Sequence, residues 1–393
     1  MNSLGLAGKP NAGKSTFFSA ATLAEAEVGN YPFTTIDPDR GVSHVRTDCP
    51  CLDRDDRCGN ERCQAGKRYV PIELLDVAGL VPGAHDGRGL GNQFLDALST
   101  AEVVCNVVDA SGGTDAEGEP IETGAYDPLE DLAFIEQELD LWLADIVSRN
   151  WETLERGSRA PDFDFDAALT DLLVDFGATR GEVAATLRNV EYPANPKAWD
   201  EADKEALAGE LRARTLPIVV IANKADVASE ENLAALQEAA DQVIPATAEG
   251  ELALRRAAEA GAIAYDPGDA DFEITGDPTA EQEQGLEQVR EVMAEWGGTG
   301  VQEAMNVAVY DLLDCITIYP VENETRWSDG SGAVLPDAHL LPRGSTPKDL
   351  AYAVHSDIGE GYVHAVDARS GRRIADSYEL EEGDVIKIVS TAK

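Results

Sequence analysis

The stretch Gly8-Lys9-Pro10-Asn11-Ala12-Gly13-Lys14-Ser15-Thr16 constrains this chain more than any other. It follows a short apolar run, Ser3 to Ala7, and precedes the apolar-rich segment Phe17 to Leu23. It therefore reads as a glycine-rich turn between a buried strand and a helix. In such a turn Gly8 and Gly13 let backbone N–H groups face a phosphate chain, Lys14 offers a charge to the β and γ oxygens, and the Ser15 hydroxyl can ligate Mg²⁺. The spacing predicts an α/β fold whose ligands sit beyond the ends of its strands.

Three further apolar runs, Ile72 to Leu75, Val103 to Val108 and Ile218 to Ala222, end in polar or glycine residues as strands of a mostly parallel sheet do. Asp76-Val77-Ala78-Gly79 closes the first of them, where Asp76 can hold Mg²⁺ through water and the Gly79 N–H can meet a γ-phosphate. Asn223-Lys224-Ala225-Asp226 follows the third. The Asp226 carboxylate can accept from both N–H donors on the edge of guanine, which adenine does not offer, and the Lys224 stem can cover the base. Between the first two strands, Thr34 and Thr35 follow Tyr31-Pro32-Phe33, and a threonine there can complete the Mg²⁺ shell and sense the γ-phosphate. Thr247-Ala248-Glu249 stands where a base-supporting loop is expected. The order phosphate loop, threonine, Asp-x-x-Gly, Asn-Lys-x-Asp is that of a GTPase, with GTP preferred to ATP on the strength of Asp226.

With 393 residues the chain is long enough for two or three domains. Its 31 Lys+Arg stand against 74 Asp+Glu, a net charge of −43. The carboxylates are spread throughout, so we read them as a solvated surface suited to a saline cytoplasm, where counter-ions screen the repulsion. Such a surface repels nucleic acid at low ionic strength, and any RNA contact needs a local basic patch. Lys348, Arg343, Arg369, Arg372 and Arg373 form such a concentration, equally suited to RNA or to ion pairs with Asp349 and Glu379. No run approaches the roughly 18 apolar residues of a membrane helix, and the early glycine turn excludes a signal peptide. A cytoplasmic protein without membrane contact is expected.

Leu132, Ile135, Leu139, Trp142 and Ile146 recur at spacings of three and four, the stripe of an amphipathic helix. The pattern continues through Asp166 to Leu187 and Asp200 to Arg214 with Pro161, Pro193 and Pro196 between, which predicts two or three helices packed as a hairpin. A helix is expected over Thr279 to Trp296. From Ile316 onward, short strands at Ile316 to Pro320, Tyr362 to Val366 and Asp384 to Val389 surround one helix opening at Thr346-Pro347, a small α+β domain. Four of six cysteines, Cys49, Cys51, Cys58 and Cys63, share one short segment, enough thiolates for tetrahedral Zn²⁺ though not at a standard finger spacing. Free thiols or redox-labile pairs are the alternatives. The segment's place between Thr35 and Asp76 suggests a knob beside the nucleotide-sensing region.

Gly8-x-Pro-Asn-x-Gly-Lys-Ser, Asn30-Tyr-Pro-Phe-Thr-Thr-Ile and Asp76-Val-Ala-Gly-Leu-Val-Pro-Gly-Ala-His, with Gly89-Leu-Gly-Asn-Gln-Phe-Leu, resemble the Obg-related GTPases, specifically the YchF/Obg-like ATPase subfamily in its archaeal form. Leu341-Pro-Arg-Gly-Ser-Thr-Pro-Lys-Asp-Leu to Gly383-Asp-Val-Ile resembles a TGS domain. The resemblance covers essentially the whole chain. It implies a G domain over 1–128 and 215–305 with a Cys-rich insertion at 47–66, a helical, coiled-coil-like insertion over 129–214, and a TGS domain over 306–393. It also implies Mg²⁺-dependent hydrolysis and association with ribosomes or other RNA through the TGS domain and the helical insertion. A monomer is expected.

After Asp76-x-x-Gly79 stands Leu80, where many small GTPases place a water-orienting glutamine, so slow intrinsic turnover is expected. The resemblance suggests GTPases with a hydrophobic residue here, some of which hold K⁺ partly through the asparagine matching Asn11; the alternative is that Asn11 only stabilises the loop. Lys14, Thr35, Gly79 and Asn11 are thus the candidate catalytic residues. Asn106 replaces a histidine found in many relatives, and His85 reads as a solvent-facing turn residue. Many relatives lose the last Asp of Asn-Lys-x-Asp and prefer ATP, whereas Asp226 is present. An ATP-preferring hydrolase and a nucleotide-gated binding module with negligible turnover remain the rival readings.

Overall fold

A computed structural model describes residues 2–22, 40–54, 57–77, 98, 100–160, 162–189 and 196–392. These divide into two compact units, one comprising Ser3–Val42 and Glu73–Ala304, the other Met1–Asn2, Ser43–Ile72 and Met305–Lys393. Strands β1 (Ser3–Ala7), β2 (Arg40–Asp48), β3 (Cys63–Gln64), β4 (Lys67–Asp76), β5 (Val103–Asp109), β6 (Ile218–Asn223) and β7 (Val243–Ala246) form one sheet in the order β2-β4-β1-β5-β6-β7, with β3 paired to β4. The pairs β1–β4, β1–β5, β5–β6 and β6–β7 are all parallel. Every residue of β1 and of β5 is buried. Strands covered on both faces have no solvent side on which to place polar residues, which is why they read as unbroken apolar runs.

The amphipathic stripe becomes the helix Pro128–Gly157, opened by Asp127, whose carboxylate accepts from the Leu129 N–H, with proline in the first turn. Its Ile135, Leu139 and Trp142 pack with Ala7, Leu75 and Val104 of the sheet. The rest of this helical stretch is more divided than a two- or three-helix hairpin. Helices Phe165–Leu173, Arg180–Asn189 and Glu201–Thr215 follow. The extra break comes at Gly177, whose φ of 73° ends the turn Val174–Phe176 in the left-handed region. Helix Glu201–Thr215 runs antiparallel to Pro128–Gly157, since Arg212 pairs with Asp140 while Ser148 bonds Glu201. Trp151, Trp199, Leu169 and Leu207 are buried between these helices, which accounts for the stripe as core.

The helix Ala280–Trp296 begins at Thr279 with a reciprocal capping box to Gln282. Close by in sequence, β8 (Ile263–Ala264) and β9 (Glu273–Ile274) form a short antiparallel pair.

The C-terminal unit carries a five-stranded sheet of β10 (Cys315–Val321), β11 (His339–Pro342), β12 (Tyr362–Asp367), β13 (Arg372–Ile374) and β14 (Val385–Ser390), ordered β11-β10-β14-β12-β13. Only β10 and β14 are parallel within it. The helix Pro347–Val354 buries Leu350 and Ala351, and Leu350 packs with Ile316, Ile318 and Ile386. Asp349 completes a capping box with Thr346, accepting from its N–H at 2.7 Å and from its hydroxyl, so its carboxylate is engaged in starting the helix. Arg343 pairs instead with Asp314 at 2.7 Å and Arg369 with Asp53 at 3.0 Å, an acidic residue that the sequence pattern does not single out.

Candidate functional site

The turn between β1 and the helix Lys14–Thr22 has the geometry its glycines require. Gly8 adopts φ 141° and Gly13 φ 102°. A Cβ at Gly8 would stand 2.4 Å from the Val107 carbonyl oxygen, and one at Gly13 only 2.2 Å from Asn223 Nδ2. No other residue fits either place. Asn11 takes φ 59°, a left-handed conformation that asparagine tolerates. The Phe17 N–H donates to Gly13 O at 2.9 Å, so the helix starts directly from the turn and leaves its first N–H groups facing the loop.

Lys14 is buried, and its ammonium donates to Gly8 O at 3.0 Å and Lys9 O at 2.9 Å. Desolvation by burial lowers its pKa to about 8, partly opposed by Asp76. An incoming phosphate would supply the charge that burial has stripped of water. Ser15 is exposed and its Oγ donates to Asp76 Oδ2 at 3.1 Å. Two hard oxygens side by side at the mouth of a phosphate loop are a donor set that suits Mg²⁺, which takes few protein ligands and keeps waters and phosphate oxygens. Ala12 is buried and Thr16 half-buried in the same loop.

Elements distant in sequence converge on this loop. Asn223 Nδ2, at the end of β6, donates to Ala12 O at 2.9 Å, and its Oδ1 accepts from the Ala248 N–H at 3.1 Å. Thr247 caps the helix Ala248–Glu259 through the Gly250 N–H. One side-chain amide thereby links the phosphate loop, β6 and the Thr247–Ala248 turn. Lys224, at φ 60°, donates to Asn11 O at 3.0 Å and to Asp109 Oδ2 at 2.8 Å. Asp226 lies in the following turn, Ala225–Val227, and is exposed. Asn106 is buried in β5. Thr34, Thr35, Ala78, Gly79, Leu80 and His85 lie outside the described residues.

Several members of the site escape sequence reasoning. Asp109 is fully buried at the end of β5 and accepts from Lys224, from Ser111 Oγ and from Thr114 Oγ1 at 2.9 Å. Burial works against its charge, yet these hydrogen bonds prevail and hold its carboxyl below the usual carboxylate range. Lys9, also buried, donates to Thr114 O at 2.8 Å, pairs with Asp131 at 2.9 Å and lies 3.8 Å over the Tyr126 ring. Asn11 Nδ2 donates to Gly118 O at 2.9 Å. The stretch between β5 and the helix Pro128–Gly157 is thus a strap fastened to the phosphate loop at Lys9 and Asn11. Its sequence signal was the buried-strand exit at Asp109, which resembles the exits at Asp76 and Asn223.

In the C-terminal unit the four clustered thiols converge. Cys49 and Cys51 are buried, Cys58 and Cys63 half-buried, and their sulfurs all lie within 4.8 Å of one another, a set able to hold a metal ion. Cys49 and Cys51 pack with Tyr319, Trp327 and Leu335, which places the segment in the core of this unit.

The parallel sheet, the phosphate loop at its first turn and the small α+β domain define a P-loop GTPase-class hydrolase with a C-terminal TGS domain. Residues 3–138 match the model of a 50S ribosome-binding GTPase, 221–323 that of an Obg-like GTPase YGR210-like, G4 motif-containing domain, and 332–390 that of a TGS domain. The chain is 44% identical over 400 residues to an uncharacterized GTP-binding protein of Methanocaldococcus jannaschii, covering 100% of both. It is 28% identical over 411 residues to the ribosome-binding ATPase YchF of Bacillus subtilis, covering 97% of each. The crystal structure of a GTP-binding protein from Pyrococcus horikoshii OT3 superimposes with a TM-score of 0.78 at 36% identity and 100% coverage of both chains. The chain belongs to the YchF/Obg-like GTPase family. Among the described residues no helix is long and apolar enough to cross a membrane.

Proposed function

We propose that this protein binds GTP with Mg²⁺, hydrolyses it slowly, and uses the bound state to regulate its association with a ribosomal particle in the cytoplasm. The observation that carries the reading is the convergence of Lys14, Asn223 and Lys224 on one loop, with Ala248 joined to it through Asn223. Gly13, Lys14, Ser15 and Thr16 would bind the phosphates, with Asn11 and Ala12 shaping the loop. Asn223 and Lys224 would frame the base, Thr247 and Ala248 would support it, and Asp226 would accept from guanine. Ser15 and Asp76 would hold Mg²⁺, together with Thr35, and Gly79 would meet the γ-phosphate. Held by these oxygens, Mg²⁺ would supply positive charge to the β and γ oxygens of the nucleotide. With no side-chain base to activate water at Leu80, the loop amides and Lys14 carry the catalysis, and K⁺ beside Asn11 would add a further positive charge. In the C-terminal unit, Cys49, Cys51, Cys58 and Cys63 would hold Zn²⁺.

The names of relatives divide between GTP-binding and ATPase, and the exposed carboxylate of Asp226 favours guanine here. Multiple-turnover hydrolysis of GTP and ATP in molar KCl tests the proposal. GTP should be turned over in preference, and Asp226→Asn should weaken GTP while improving xanthosine triphosphate, whose edge carries an acceptor in place of a donor. Equal use of ATP, or an unaltered preference in the variant, removes the guanine assignment. Binding without turnover makes the protein a nucleotide-gated binding module. Co-sedimentation with ribosomal subunits in GTP but not GDP tests the partner.

A further inference from the structure

The four-thiol cluster is tied into the C-terminal unit in a way that its donor count does not reveal. Cys51 Sγ lies 3.7 Å from Cys63 Sγ, and Cys49 Sγ lies 4.0 Å from Cys58 Sγ. Four thiolates at about 2.3 Å around a tetrahedral zinc stand about 3.8 Å apart, so the sulfurs are already close to their places. The backbone explains the spacing. Cys49 and Cys51 flank the start of a tight turn, Pro50–Asp53, that follows β2. Cys63 opens the β3–β4 hairpin, whose turn residues Ala65 and Gly66 both have positive φ, 48° and 89°. The Cys49 N–H donates to Gly66 O at 2.8 Å and closes the segment at its base.

Burial alone does not hold this segment in shape. From Cys49 to Gly66 the only aliphatic side chain larger than alanine, apart from Pro50, is Leu52, and it is 44% exposed. Ordering so polar a stretch costs entropy that the small apolar surface of Pro50 and the thiols offsets only in part. Its thiols nonetheless form part of the core of β10 and β14, beside Tyr319, Val321 and Val385. Polar contacts run the same way. Asn60 Nδ2 donates to Leu335 O at 3.1 Å and Pro336 O at 3.0 Å, and the buried Arg68 donates to Leu335 O at 2.5 Å.

We infer that Zn²⁺ in this cluster is a structural member of the C-terminal unit: by fixing residues 49–66 it completes the packing of β10, β14 and the Trp327–Leu335 stretch, so the order of this TGS-bearing unit depends on metal. The inference rests on the zinc assignment proposed above, and the test separates the two. The full chain, purified under reducing conditions, is assayed for metal by elemental analysis. Amide hydrogen exchange is then followed by mass spectrometry before and after stripping with a zinc chelator.

The expected result is one zinc per chain and, after stripping, exchange accelerated about tenfold or more in peptides covering 315–321, 327–335 and 385–390. Peptides of β5 and β6 should keep their protection, and Zn²⁺ but not Mg²⁺ should restore the rest. Cys58→Ser, at a half-buried position, should give the same acceleration with zinc bound below one equivalent. One tightly bound zinc whose removal leaves these peptides unchanged overturns the inference and spares the metal assignment. A chain that takes up no zinc, as purified or after refilling, overturns both.

Discussion

The Lys224 ammonium donates at once to Asp109 Oδ2 at 2.8 Å and to the Asn11 carbonyl at 3.0 Å, so one side chain beyond β6 ties a buried carboxylate at the end of β5 to the phosphate loop. Asn223 makes the parallel link through its amide, to Ala12 O on one side and the Ala248 N–H on the other. Two neighbouring residues thus fix the loop against the ends of β5 and β6 and the start of the helix Ala248–Glu259. A site held in this way loses little entropy on binding.

Asp109→Asn keeps the shape of this contact and removes its charge. Because Lys224 remains one-third exposed and keeps its bond to Asn11, the loss falls below that of a fully buried pair and nearer that of a charged hydrogen bond, about 2 kcal/mol of unfolding free energy. Denaturant titration should read this loss, and calorimetry should read GTP affinity weakened by about tenfold. The native carboxyl titrates below its unfolded value of about 3.9, so its contribution is present above that pH and is lost as pH falls through the lower native value. In Asp109→Asn the acid limb of the stability profile should flatten accordingly.

Lys14 predicts opposite pH slopes for folding and for binding. Its pKa drops from 10.5 to about 8 on burial, so the folded chain binds fewer protons than the unfolded one between these values. The nucleotide-free fold should therefore gain stability as pH rises through that window. Triphosphate requires the charged ammonium, so affinity should fall over the same range and binding should take up a proton. Calorimetry in buffers of different ionisation enthalpy measures that uptake. Lys14→Met should abolish both slopes and weaken GTP binding by about a hundredfold; a surviving proton uptake would assign it to another group.

Asn11 can be separated into its two roles by exchanging cations. Its side-chain bond to Gly118 O fastens the strap to the loop, and Asn11→Ala should cost about 1 kcal/mol of stability in K⁺ and Na⁺ alike. If Asn11 also holds K⁺, wild-type hydrolysis should rise when K⁺ replaces Na⁺ at constant ionic strength, and the variant should lose that response. Indifference of the wild type to the exchange would leave Asn11 with the strap alone.

Much of the fold was legible because its determinants are local. The apolar runs of β1 and β5, the helix start at Thr279 and the Thr346-Pro347 helix start depend on residues a few positions apart. The helical stretch was harder to divide because Gly177 ends a helix by its backbone conformation and interrupts no apolar stripe. The basic residues near the C-terminus were legible as a group but not in their pairings, since Asp314 and Asp53 reach Arg343 and Arg369 across 29 and 316 positions.

By itself the sequence determined the phosphate loop, the strand exits that carry Asp76 and Asn223, the amphipathic stripe and the presence of four clustered thiols. Only the tertiary structure decided that Asp109 holds Lys224, that the strap binds Lys9 and Asn11, and that the cysteine segment belongs to the core around Trp327. The physical reason is range. Local conformation follows from the sterics and hydrogen bonding of adjacent residues, whereas the partner of a buried charge or thiol is whichever group the chain's path brings to it, as Thr114 is brought to Lys9 across 105 positions and Leu335 to Arg68 across 267.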